Sequence, residues 1–117
     1  MGDFQKLRVW QIAKDLAINI YKLTQGSGFS KDFGFKDQIQ RSAVSIPSNI
    51  SEGDELDTNK QSNHFFYIAK GSAAELLTQI IIGKEIGYID KTQADILINE
   101  CKLISVMLTK LIRTRST

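Results

Sequence analysis

Apolar residues recur at helical spacing along nearly the whole chain. The first segment shows the pattern, with alternating steps of four and three residues between Val9, Ala13, Leu16, Ile20 and Leu23. Such steps place side chains on one face of an α-helix. The same reading predicts four helices, over residues 6–25, 35–55, 59–87 and 91–113. No segment alternates apolar and polar residues as a β-strand would, so the pattern indicates an all-α fold.

Residues with helix-capping side chains stand where two of these helices are predicted to begin. Thr58 and Gln61 fit a capping box at the third helix, and Asp90 with Gln93 repeats the arrangement at the fourth. Gly87 follows the third helix, at the position where a glycine with a left-handed backbone commonly ends a helix. The connections between these helices are therefore short.

Two residues mark interruptions in the first half of the chain. Gly26 is placed to end the first helix, as Gly87 is placed to end the third. Pro47 lies inside the second helix and removes a backbone donor there, so we expect a kink rather than an end. Four helices with short links predict a left-handed, up-down four-helix bundle, a single domain over residues 1–117. The fourth helix has an apolar seam typical of bundles, formed by Ala94, Leu97, Cys101, Ile104, Leu108 and Leu111.

The third helix is apolar on more sides than one bundle can bury. From Phe65 to Ile89, 15 of 25 residues are apolar and only four are charged. A helix at the surface of a bundle normally keeps a continuous polar face. The favoured interpretation is a contact between subunits, with Ile81 and Ile82 as candidate interface residues, so that the chain is a homo-oligomer. The alternative is a helix buried mainly by unusual packing within one chain.

Composition excludes several classes of protein. A chain of 117 residues with 42% apolar and 24% charged residues is long enough for one folded domain. One Cys and one His exclude an internal disulfide, a Cys-based metal cluster and a two-His metal site. The longest uncharged run, residues 42–51, is too short to span a membrane, and the first residues lack an apolar signal core. We expect a cytoplasmic protein without a membrane partner.

No catalytic, cofactor or metal site can be assembled from these residues. Cys101 falls on the apolar seam, which predicts a structural thiol, and a lone His64 is more often exposed or packed than catalytic. Four acidic residues crowd the link after the second helix without calcium-loop spacing: Glu52, Asp54, Glu55 and Asp57. We therefore expect a protein that is not an enzyme and needs no cofactor.

Polar residues of the second and third helices are predicted to meet. If the two helices are antiparallel about a turn near residue 57, Arg41 faces Glu75 across them. We predict an interhelical ion pair there. The wider polar network that would fix the register of the two helices comprises Arg41, Asn49, Glu52, Ser72 and Glu75.

Charge is nearly balanced overall, at +2, but its distribution is uneven. No acidic residue follows Glu100, and the last helix and its tail contain Lys102, Lys110, Arg113 and Arg115. These four are the candidate nucleic-acid contacts, and they would bind phosphates with little regard to sequence. The alternative is that they only complement the negative end of the helix dipole.

Two stretches carry a resemblance to a known family. They are Arg41-Ser-Ala-Val-Ser-Ile-Pro-Ser-Asn-Ile-Ser-Glu-Gly53 and Tyr67-Ile-Ala-Lys-Gly-Ser-Ala-Ala-Glu-Leu76. The chain resembles the small bacterial four-helix bundle proteins encoded in intervening sequences of 23S ribosomal RNA genes. The resemblance implies a ring, typically a homopentamer, without known enzymatic activity. A related protein is the accessory protein of diversity-generating retroelements, which associates with a reverse transcriptase and with nucleic acid.

Three interpretations of function follow. The first is a non-enzymatic oligomer that binds RNA or DNA, or a nucleic-acid enzyme such as a reverse transcriptase. The second is a purely protein-binding or structural assembly, which the near-neutral charge favours. The third is an enzyme built around Arg41, Asn49, Glu52 and Glu75, for which the residues offer the least support.

Overall fold

The structure is a computed structural model that describes residues 3–116. Four long helices contain most of these residues. They are α1 (Arg8–Leu23), α2 (Phe33–Asp54), α3 (Asn59–Glu85) and α4 (Lys91–Arg115). Two short 3-10 turns precede α1 and α2, at Phe4–Lys6 and Ser27–Lys31, and residues 3–116 contain no strand. The predicted all-α fold is confirmed, and each predicted helix end lies within two residues of the observed one.

The helices pack as a four-helix bundle about 44 Å long and 20 Å across. α2 shares extensive surfaces with α1 and α3, α3 with α4, and α1 closes the bundle through a smaller contact with α4. One apolar core runs through all four helices, and its fully buried side chains include Leu16, Ile46, Phe66, Leu76 and Ile104. The seam of α4 is buried from Ala94 to Leu108, but Ile112 rather than Leu111 is its last buried member.

Local capping sets where α3 and α4 begin and where α3 ends. The backbone N–H of Gln61 donates to the Thr58 hydroxyl at 3.2 Å, and that of Gln93 donates to Asp90 at 2.9 Å. Gly87 has a φ of +86°. The N–H of Tyr88 bonds back to the carbonyl of Gly83, which completes a Schellman motif. The caps Thr58 and Asp90 and the left-handed Gly87 are confirmed, whereas the return bonds of a full capping box, from the Gln61 and Gln93 side chains, are absent within residues 3–116.

The end of α1 differs from the prediction. The helix stops at Leu23, and Gly26 has an extended backbone with a φ of −119° rather than a left-handed one. The reason lies in the 3-10 turn that follows, which carries the Phe29 side chain into full burial. The Tyr88 ring packs against Phe29 at 5.0 Å between centroids and covers Gly28, where a Cβ would collide with it.

α2 continues through Pro47 and reaches Asp54, so the proline does not end the helix, as predicted. Near its end α2 approaches α3 closely. A Cβ at Gly53 would lie 2.8 Å from the Phe66 ring and 2.9 Å from the Ser62 carbonyl oxygen. Within residues 3–116, α3 alone is long and apolar enough to cross a membrane by length and composition, a test that an internal helix of a bundle also passes.

Candidate nucleic-acid interface

Two segments without acidic residues lie side by side in the bundle. Residues 58–74 and residues 101–116 contain no Asp or Glu. The Asn63 side-chain amide donates to the Ser116 hydroxyl at 2.9 Å, which fixes the start of α3 beside the end of α4. We call the surface formed by residues 59–74 of α3 and 101–115 of α4 the basic face. Its cations without an ion pair in residues 3–116 are Lys60, Lys70, Lys102, Lys110 and Arg113.

Two grooves cross the basic face and meet at Tyr67. The smaller, about 270 Å³, is lined by Tyr67, Lys70, Thr109, Ile112, Arg113 and Ser116. The larger, about 580 Å³, is lined by Asn59, Lys60, Asn63, His64, Tyr67, Arg115 and Ser116. Tyr67 is 60% exposed, and no acidic residue of the described range 3–116 lines either groove. The arrangement therefore offers cations on both sides of an exposed aromatic ring.

The four predicted nucleic-acid residues fall into two groups. Lys102, Lys110 and Arg113 are exposed on α4. Arg115 is the last residue of α4 rather than part of a tail, and its side chain is only 24% exposed. It donates to the buried carboxylate of Asp54 at 2.5 Å and lies 5.1 Å from the centre of the Phe66 ring. Arg115 therefore differs from the other three candidates, because its charge is compensated within the fold by Asp54.

The α3 half of the basic face was not predicted. Lys60, His64, Tyr67 and Lys70 come into place only when α3 and α4 are packed together. A signal for them exists in the sequence, since residues 58–74 form an acid-free run like that after Glu100. The two runs are far apart in the chain, and only the fold shows that they adjoin.

A polar network joins α2 to α3, as predicted, with partly different members. The Ser42 hydroxyl lies 2.7 Å from a carboxylate oxygen of Glu75, and the Ser45 hydroxyl lies 2.8 Å from that of Ser72. The Asn49 amide donates to the Ser45 carbonyl at 2.8 Å. Small hydroxyl side chains thus bridge the two helices where their backbones come close.

Two predicted members take other positions. Arg41 donates to Asp37, one turn earlier on the same helix, at 2.9 Å, so the predicted Arg41–Glu75 ion pair is wrong. Arg41 and Glu75 do line one groove of about 500 Å³, but Glu75 takes its hydrogen bond from the buried Ser42. Glu52 is exposed, and its side chain has no hydrogen bond to other residues of 3–116. The i,i+4 contact needs no tertiary arrangement, which favours Asp37 as the partner of Arg41.

The sequence matches a known protein family along most of its length. The match to the 23S rRNA-intervening sequence protein family covers residues 5–110. The chain belongs to this family. The resemblance carried by residues 41–53 and 67–76 is thereby confirmed.

A solved structure shows the same architecture as this 23S rRNA-intervening sequence protein. It is the crystal structure of a protein of unknown function from the S23 ribosomal protein family, from Bacteroides thetaiotaomicron. The two chains are 25% identical and superpose with a TM-score of 0.83, over 89% of this chain and 97% of the other. A search of curated proteins found no match.

The nucleophile and metal-ligand candidates of this family member are few. Cys101 is buried, and this burial, together with the nearby charge of Glu100, raises the pKa of its thiol to about 12. A thiol with so high a pKa stays protonated near neutral pH and is a poor nucleophile. No three His, Cys, Asp or Glu side chains of residues 3–116 are grouped to hold a metal ion.

Two groups of exposed apolar side chains are candidates for contacts between subunits. On α3, Ile81 is 41% and Ile82 is 44% exposed. We call the set Ile81, Ile82 and Ile86, at the C-terminal end of α3, the α3 apolar surface. The α1–α4 apolar surface consists of Ile18, Ile96 and Leu103. At about 100° per residue, Ile96 and Leu103 point away from the side of α4 that packs on α3, so the two surfaces face different directions.

Proposed function

We propose that this protein is a non-enzymatic, oligomeric four-helix bundle of the cytoplasm that binds nucleic acid through its basic face. The observation that carries the proposal is the juxtaposition of residues 58–74 and 101–116, which together contain six Lys and Arg and no acid. Within residues 3–116, only Arg115 among the six has an ion pair, with Asp54. Five unpaired cations on one side of a small domain favour binding of a polyanion, although the net charge of the chain is only +2.

We propose further that the chain assembles into a homopentameric ring. A ring requires two different surfaces of one subunit to meet, and the α3 and α1–α4 apolar surfaces are two such surfaces on the same bundle. The number five comes from the family resemblance. Repetition of the basic face around a ring would strengthen polyanion binding, because several weak contacts then act on one strand.

A protein-binding role is the second candidate. The resemblance implies association with a nucleic-acid enzyme such as a reverse transcriptase. Some exposed apolar residues lie outside the proposed subunit contacts and favour binding of a protein partner. One of them is Val106 on α4, which lines a groove beside α3. A purely structural assembly without nucleic acid would use the same apolar surfaces and leave the basic face solvated.

Salt-dependent binding distinguishes these functions. We would measure the affinity for labelled RNA and DNA across a range of salt concentrations. The test variant replaces Lys102, Lys110 and Arg113 with Ser, and the matched control replaces Arg8, Lys31 and Lys91, which are also exposed. Each phosphate contact adds about 0.7–0.9 to the slope of log K against log salt, so the test variant should lose roughly two units of slope.

The control should retain the full slope and affinity, because its three cations lie outside the basic face. No binding by the wild-type protein, or equal losses in the two variants, would reject the basic face as a nucleic-acid site. A retained oligomer without binding would then support the structural assembly.

A further inference from the structure

Tyr67 lies between the two grooves of the basic face and lines both of them. Its ring makes no contact with another aromatic ring, and its hydroxyl has no hydrogen bond, within residues 3–116. The rest of the two grooves is lined by polar and basic side chains and by the buried Ile112. An aromatic side chain left 60% exposed among cations, in a fold that buries Phe29 and Phe66 completely, is available to a ligand.

We infer that the basic face takes single-stranded nucleic acid, with a base stacked on the Tyr67 ring; this inference rests on the proposed function. Lys70 and Arg113 line the groove on one side of the ring, and Lys60 and His64 line the groove on the other. A strand crossing Tyr67 would therefore meet cations before and after the ring, at the positions of its phosphates.

The chemistry of the ring selects single strands over duplexes. In a duplex the faces of the bases are stacked on one another, so a tyrosine at the surface can reach only the backbone and groove edges. A single strand exposes the π-face of each base, and stacking on an aromatic side chain accepts any base. RNA and DNA share this chemistry, and the 2′-hydroxyl distinguishes them only if a side chain reads it.

A second copy of the chain is the other possible occupant of this surface. Pairing two basic faces would bring Lys60, Lys70 and Arg113 of each copy against like charges, which disfavours that contact. The exposed apolar residues on other surfaces of the bundle suit subunit contacts better. The charges around Tyr67 thus favour a polyanion.

The test compares single-stranded and duplex oligonucleotides with three variants. The probes are oligo(U), oligo(dT) and a DNA duplex, each about 15 nucleotides long and end-labelled, and the measurement is fluorescence anisotropy. Tyr67→Leu removes the ring, and Tyr67→Phe retains it. The matched control is Tyr21→Leu, which removes an exposed tyrosine on α1.

Tyr67→Leu should weaken binding of the single strands by about 5- to 100-fold and leave duplex binding within about twofold. Tyr67→Phe and Tyr21→Leu should both bind like the wild-type protein. The salt slope of Tyr67→Leu should stay unchanged, because stacking releases no counterions, whereas substitution of Lys102, Lys110 and Arg113 lowers the slope. If Tyr67→Leu loses affinity equally for oligo(U) and oligo(dT), the site binds single strands without reading the 2′-hydroxyl. If the loss of affinity is confined to one of them, that nucleic acid is the one whose bases stack on Tyr67.

Failure of the inference and failure of the proposed function give different results. If Tyr67→Leu binds single strands as tightly as the wild-type protein, or weakens duplex binding equally, stacking on Tyr67 is rejected and the basic face still stands. If the wild-type protein binds no probe, both are rejected. If Tyr67→Leu changes the mass of the assembly in light scattering, Tyr67 is a subunit contact and the inference is overturned.

Discussion

Arg115 of α4 closes one end of the bundle by pairing with Asp54, the last residue of α2. The donor Nη2 and the acceptor Oδ1 are 2.5 Å apart, the Asp54 side chain is only 2% exposed, and the Arg115 guanidinium lies over the Phe66 ring. The second carboxylate oxygen of Asp54 is buried without a partner among residues 3–116. The carboxylate therefore depends on Arg115 for its compensation.

Replacing Arg115 with Met should lower the free energy of unfolding by about 2–4 kcal/mol. The substitution retains an apolar stem over Phe66 but leaves the Asp54 charge buried and uncompensated, and breaking a buried pair in this way is strongly destabilising. Urea denaturation followed by circular dichroism gives the value. The control is Arg41→Met, which breaks the exposed Arg41–Asp37 pair and should cost less than about 1 kcal/mol. Equal costs for the two variants would show that the Asp54–Arg115 pair adds no stability.

Two glycines should respond oppositely to the same substitution. Gly53→Ala should cost about 1–3 kcal/mol, because its Cβ would lie 2.9 Å from the backbone oxygen of Ser62, which cannot easily move. Gly71→Ala, on the exposed side of α3 with nothing within 4 Å of the new Cβ, should add about 0.5–1 kcal/mol through better helix propensity. Thermal unfolding of the pair measures both. A neutral Gly53→Ala would mean that α2 and α3 can separate there without loss.

Tyr88 should make the stability of the folded protein depend on pH in the alkaline range. Its hydroxyl donates to Asp32 at 3.0 Å, and this bond, with burial and the Asp32 charge as smaller causes, raises the pKa of Tyr88 above its usual value. The folded state thus holds the phenol proton more tightly than the unfolded state. The resulting stability is fully present below about pH 10, the unfolded pKa, and is lost as pH rises through the folded pKa.

Tyr88→Phe should remove that component of the alkaline loss of stability. Urea midpoints measured between about pH 8 and pH 11 should fall less steeply for this variant than for the wild-type protein. Tyr21→Phe is the control, since Tyr21 has an exposed side chain and its hydroxyl has no hydrogen bond within residues 3–116. Parallel curves for wild type and Tyr88→Phe would contradict the assigned role of the Asp32 contact.

Charged substitutions on the α3 apolar surface should dissociate the assembly. Ile81→Asp and Ile82→Asp place a carboxylate on side chains that are 41% and 44% exposed in one subunit, so the core of the bundle should survive. Light scattering at micromolar concentration should give about five times the 13.1 kDa chain mass for the wild-type protein and 13.1 kDa for the variants.

Circular dichroism of the same samples separates dissociation from unfolding. Val44→Asp, an exposed apolar position on α2 outside both apolar surfaces, serves as the control and should keep the wild-type mass. A wild-type mass near one chain would overturn the assembly, and a stable dimer would reject the ring while leaving association intact.

Sequence patterns predicted the local features of this fold well. The capping pairs Thr58–Gln61 and Asp90–Gln93 and the left-handed Gly87 depend on residues within one or two turns, which the sequence shows directly. The left-handed cap predicted at Gly26 is wrong, because burial of Phe29, a tertiary effect, decides the path of the chain after Leu23.

The sequence predicted only the α4 half of the candidate site. The α4 cations follow from the absence of acids after Glu100. Tyr67 and Lys70 were missed because they adjoin those cations only across the α3–α4 contact. Arg115 was misplaced because α4 extends two residues beyond the predicted end, far enough to reach Asp54. Packing of the helices decides which side chains become neighbours on this surface, and the periodicity of apolar residues in the sequence does not specify that packing.

The Tyr88 ring has a kinetic consequence. It joins the link between α1 and α2 to the link between α3 and α4, and its bond to Asp32 spans 56 residues of chain. Contacts so distant in sequence close late, after the α3–α4 hairpin has formed its own turn. We therefore expect the contacts of Tyr88 to form late in folding and to break early in unfolding. Loosening this joint with Tyr88→Leu should speed unfolding in stopped-flow experiments while the refolding rate stays nearly the same.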